Sequence, residues 1–132
     1  MSGHDLEATQ AAFDDAFRHD AGRSIGEWFT ADGQLLWPEM AAIVGREAIG
    51  QAFADFAAAF ETIAFEPTYD LVDVSPPVAV VMGTFVETRR SRDTGTLERV
   101  HGRVGFAWQL GADGWHCARL MTSRYAPTEV LT

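Results

Sequence analysis

The 132-residue chain contains no lysine, so all ten of its basic residues are arginine. That absence excludes a lysine Schiff base and a lysine-activated nucleophile. Cys117 is the single cysteine, which rules out an intrachain disulfide and a cysteine-rich zinc site. No run approaches the roughly 18 apolar residues that a membrane span requires, and Met1–Glu7 lacks the basic and apolar regions of a signal peptide. Histidine is sparse too: His4, His19, His101 and His116 form no closely spaced helical pair, and no spacing implies a metal or other cofactor. These absences lead us to expect a soluble, cytoplasmic protein.

The net charge of −9 argues against nucleic acid and anionic membranes as partners. It is unevenly spread. Residues 1–75 carry fourteen acids and three arginines, net −11, whereas residues 76–132 are net +2. At 47 % hydrophobic, the chain is ordinary globular material of a length that fits one domain over residues 1–132.

Leu6, Ala12, Phe13, Ala16 and Phe17 share a face at helical spacing, so residues 5–20 read as a helix. Ser24-Ile25-Gly26-Glu27 matches a capping box for a short second helix holding Trp28 and Phe29. Asp32-Gly33 turns into a strand at 34–38. Ile49, Phe53, Phe56 and Phe60 then stripe a third helix over residues 46–60. Strands follow at 65–75, 78–90, 99–110 and 115–125, divided by Pro76-Pro77, Asp93-Thr94-Gly95 and Gly111–Gly114. Residues 126–132 read as a loose tail. Helices first and an antiparallel meander second define an α+β class.

In this order, the Phe29-x-x-Asp32-Gly33 turn, Gly45-Arg46-Glu47-Ala48-Ile49 and Gly114-Trp115 resemble the nuclear transport factor 2-like superfamily. The similarity is to its SnoaL-like and ketosteroid-isomerase-like branches and spans residues 5–125. It implies a cone in which a curved antiparallel sheet wraps around three N-terminal helices, with a pocket between them. Ketosteroid isomerase needs a carboxylate base, and an oxyanion hole made by a tyrosine and a protonated aspartate. On this chain the resemblance puts Trp37 at the base, Phe13 at the tyrosine and Phe106, or a neighbour, at the aspartate. None of these side chains can move a proton or donate a strong hydrogen bond. They are either core or an aromatic lining for a flat ligand.

The resemblance also points the final strand's Arg119, Met121 and Ser123 into the pocket. Arg119 could clamp a carboxylate or polarise a carbonyl, or pair internally with Glu39, Glu87 or Asp70. Glu39 and Met40 fall at the pocket mouth, and Phe17 and Trp108 join the aromatic set. Arg89, Arg90 and Arg92, opposite Arg99, flank the 93–95 hairpin and read either as a solvated tip or as a dock for an acidic partner or neighbouring subunit. Three functions therefore compete. One is a protein that binds a small apolar or aromatic ligand bearing an acid or carbonyl, anchored by Arg119. The second is a SnoaL-like cyclase, dehydratase, isomerase or hydrolase acting on a polyketide-like or aromatic substrate. Its ionisable group would come from Glu39, His101 or Tyr125. The third is an interaction module with a filled core. Val78, Val80, Met82 and Val86 oppose Ala79, Val81 and Phe85, and a strand apolar on both faces suits a homodimer through the outer sheet face.

Overall fold

The computed structural model describes residues 3–20 and 22–131, with the side chains of residues 3, 4 and 20 outside that description. Helix α1 runs Gly3–Asp20, two residues longer at its start than the apolar spacing predicts. Asp5 near its start and Arg18 and His19 in its last turn complement the helix dipole. A 3-10 segment follows at Arg23–Trp28, entered from an extended Gly22 with no side-chain cap, so the capping box is not formed. Ser24 falls inside that segment rather than ahead of it. Strand β1 (Phe29–Leu36) and β2 (Ile43–Val44) precede α2 (Arg46–Ala59).

The long strands are β3 (Phe60–Ser75), β4 (Val78–Ser91), β5 (Leu97–Gly111) and β6 (Gly114–Arg124), with a short β7 at Glu129–Val130. The sheet order is β2-β1-β6-β5-β4-β3, with β7 added to β5. Pairing is antiparallel except between β1 and β6. The sheet is open and curved, and the helices cover its concave face.

Curvature has local causes. Asp70 is an extra residue of β3 between the pairs Tyr69–Gly83 and Leu71–Met82, and such bulges bend and twist a strand. Gly83 lies opposite that bulge, where a Cβ would run into the Thr68 carbonyl oxygen. Gly102 likewise leaves room for the Phe85 ring to lie across β5.

Helix α2 buries Ile49 and Phe53, each worth about 1.5–3 kcal/mol. Its C-terminal carbonyls are capped from the far end of β4. The Arg92 backbone N–H donates to Ala59 and its Nε donates to Ala57, both at 2.9 Å.

The expected loose tail is docked. Strand β5 extends past the end of β6, and β7 takes up the ladder this leaves at Glu98 and Arg99. His101 Nε2 lies 2.5 Å from Glu129 Oε1 and ties β7 down from the outer face. Among the described residues, no helix is long and apolar enough to cross a membrane.

Candidate functional site

Between α2 and the concave sheet lies a cavity of about 350 Å³. Phe13, Phe17, Trp37, Phe53, Phe56, Phe60, Phe65, Phe85 and Phe106 give it nine aromatic walls. The rings interlock: Phe13 meets Phe106 edge-on at 5.3 Å, Phe17 meets Phe65 at 5.0 Å and Trp37 meets Phe53 at 5.1 Å. Exposed Met40, Ser123 and Arg124 mark its opening. The three positions that the resemblance assigns to isomerase chemistry therefore do face one cavity, as carbon. Trp108 stands a layer behind, fully buried and stacked on Phe106 at 5.7 Å.

Other sequence-derived candidates lie elsewhere. Arg119 and Met121 are exposed, and Met121 faces outward at 51 %. The cause is a bulge at Ala118: Trp108 pairs with Cys117, but Ala107 pairs with Arg119. Trp115 and Cys117 face inward before the extra residue, and Leu120 and Thr122 do so after it, so alternation changes phase within the strand. Arg119 Nη1 donates to the adjacent Ala118 carbonyl rather than to an acid. Ser123 stays only at the rim. Glu39 is exposed with φ 64° and is absent from the cavity wall. His101 packs against Tyr125 on the outer face. Cys117 donates to the Arg119 carbonyl, and burial pushes its thiol up to about 12, so it is inert as a nucleophile.

The cavity's buried charged groups come from β4. Glu87 and Arg89 continue the inward face of Ala79, Val81 and Phe85, and their side chains are only 6 % and 12 % exposed. Arg89 is thus no solvated hairpin tip. Its Nε donates to Glu98 at 2.7 Å, its Nη1 stands 3.8 Å from Glu87 Oε1, and its guanidinium lies 4.1 Å over Phe60. Thr62 Oγ1 donates to Glu87 Oε2 at 3.0 Å. Burial holds the Glu87 carboxyl above its ordinary value and Glu98 adds to that, while Arg89 and Thr62 oppose it. A carboxyl so placed can exchange a proton, and the guanidinium can donate to a ligand oxygen. The strict alternation from Ala79 carries this signal in the sequence.

A second polar set was also missed. Gln10 and Asp14 lie on the apolar stripe of α1, where Tyr69 donates to Asp14 at 2.8 Å and Trp108 Nε1 donates to Gln10 at 2.9 Å. Gln10 Nε2 reaches Asp14 at 3.1 Å and Tyr69 at 3.2 Å. Burial raises Asp14 and, with Asp14's negative charge, raises Tyr69. None of the four lines the cavity; they pin α1 to β3 and β5. Among the described residues, no cluster of histidine, cysteine or acids could hold a metal.

No family model and no curated protein matches the chain. Solved structures do. A ketosteroid isomerase-like protein from Erwinia carotovora atroseptica SCRI1043 aligns with TM-score 0.83 at 24 % identity, covering 92 % of this chain and 94 % of that one. An NTF2-like protein with a cystatin-like fold from Novosphingobium aromaticivorans gives 0.72 at 18 %, covering 92 % and 80 %. An NTF2-like superfamily protein from Salmonella enterica gives 0.71 at 16 %, covering 92 % and 94 %. A mixed α+β chain with a curved, unclosed sheet and these neighbours has the nuclear transport factor 2-like, cystatin-like fold.

Proposed function

We propose that the protein binds a small, flat, largely apolar molecule between α2 and the concave sheet. One observation carries the reading: nine interlocking aromatic side chains leave about 350 Å³ open to the surface beside Met40 and Arg124. Small-molecule sites are pre-formed apolar chambers of this order, with few polar groups. An unfilled apolar space is otherwise a cost to the fold. The enzymatic alternative based on Glu39, His101 or Tyr125 loses its support, since none of the three lines the cavity. Arg119, on the outer face, gives no anchor. Calorimetric titration with naphthalene is expected to give saturable one-to-one binding, weakened at least about tenfold by Leu120→Trp, whose indole would fill the void. Failure of naphthalene and its simple ring derivatives to bind would remove the reading.

We also propose a homodimer through the outer sheet face. Leu71, Met82, Gly105 and Met121 form one cross-strand row there, with Val80 and Val78 beside it. Met82, Met121 and Leu71 are 44 %, 51 % and 46 % exposed, a contiguous apolar surface of the kind that marks an interface. Sedimentation velocity is expected to give a dimer and Met82→Glu a monomer. A monomeric wild type at all concentrations overturns the assignment.

A further inference from the structure

We propose that the polar end of the cavity is a hydroxyl-recognition site. Glu87 accepts the O–H of a ring alcohol or phenol, and Arg89 donates to the same oxygen. The proposal rests on the cavity reading above and adds the ligand's polar group.

The geometry supplies one acceptor and one donor side by side. Glu87 Oε1 and Arg89 Nη1 are 3.8 Å apart, beyond hydrogen-bond distance, so neither satisfies the other. Thr62 occupies one position on Oε2, yet a carboxylate offers about four. Arg89 is committed through Nε to Glu98, and its plane is fixed over Phe60. That leaves the outer guanidinium donors for a ligand. Both side chains line the aromatic chamber and are nearly shielded from water. Hydrogen bonds made there exchange poorly with solvent and discriminate strongly.

Matching then selects among ligand groups. A bare hydrocarbon strips water from Glu87 and returns nothing. A carboxylate set beside this pair faces the acid Glu87 and an arginine whose charge Glu98 already offsets. The other lining arginine, Arg124, stands exposed at the mouth, so the acid-bearing ligand expected from Arg119 is disfavoured here. An ammonium satisfies Glu87 but opposes Arg89. A hydroxyl donates once and accepts once, as the pair requires.

Four two-ring probes of similar size separate these cases by calorimetry at pH 7: naphthalene, 2-naphthol, 2-methoxynaphthalene and 2-naphthoate. On the wild type, 2-naphthol is expected to bind about tenfold tighter than naphthalene, the value of one well-made buried hydrogen bond. The methyl ether, which lacks the donor, should lose that advantage without any mutation. Glu87→Leu should bring naphthol and naphthalene within about threefold while still binding both. Equal affinity for naphthol and naphthalene in the wild type overturns hydroxyl recognition and leaves the cavity reading standing. So does tightest binding of naphthoate. If no probe binds, both fall together.

Discussion

Replacing Gly83 with alanine is expected to destabilise the protein by about 3 kcal/mol, the upper end of the usual range for overpacking. The position is inward on β4, opposite the Asp70 bulge, and the new methyl would meet a backbone carbonyl, that of Thr68. A side chain in the way could rotate aside. A carbonyl held in a ladder cannot move without uncoupling β3 from β4 along the bend. The same substitution at Gly105 is the control, because its Cβ would meet only Met82 side-chain atoms at 3.7 and 3.8 Å. Glycine-to-alanine also stiffens the unfolded chain, which favours folding by about 0.4–1 kcal/mol wherever space allows. Urea unfolding of the pair should therefore give a large loss for Gly83→Ala and little or no loss for Gly105→Ala. Equal effects would show that the bend tolerates a side chain.

Arg89→Ala is expected to cost about 3 kcal/mol at neutral pH, the lower end for breaking a buried ion pair by removing one partner. The arginine is the cation between Glu87 and Glu98, and its removal leaves two carboxylates facing each other in an apolar wall. The loss should depend on pH in a definite direction. Burial raises the Glu87 carboxyl in the folded protein, so the native state binds that proton more tightly than the unfolded chain. Its contribution to stability is complete below the ordinary carboxylate value and is lost as pH rises through the raised folded value. Buried Asp14 adds to stability with the same sign. Without Arg89 the Glu87 value moves higher still, which widens that interval. The deficit of the variant should therefore shrink on mild acidification, and Glu87→Gln in the same background should recover much of it at neutral pH. A deficit unchanged by either would mean that lost packing over Phe60, not stranded charge, accounts for the effect.

The architecture was readable because its elements carry strong periodicity. Ile49 and Phe53 in α2, and the alternation of Val100, Val104, Phe106 and Trp108 in β5, allow one orientation each. The site was less readable, for two physical reasons. A bulge inserts a residue without changing composition, so the phase shift at Ala118 is marked only by Leu120 lying apolar between Arg119 and Met121. The resemblance points Arg119 inside, and the bulge turns it out. The second reason is that charge at a strand's end looks like a solvated tip, although Glu87 and Arg89 keep the parity of Val81 and Phe85. Gln10 and Asp14 could have been suspected in the same way, as polar residues on the stripe of Leu6, Phe13 and Phe17. Their partners Tyr69 and Trp108, distant in sequence, gave no such sign. The docking of β7 follows from the unequal lengths of β5 and β6, a property of the assembled sheet.

Strand β3 closes one side of the sheet, and a strand in that place can recruit another chain by continuing the ladder. Glu61, Glu66, Asp70 and Asp73 punctuate it, Pro67 removes one backbone donor, and two breaks in register interrupt its line. The surplus acidity of the first half of the chain thus acts as a guard against runaway strand-by-strand polymerisation. Growth by strand addition is thereby disfavoured at this edge, whereas the proposed face-to-face dimer would close on itself and stop.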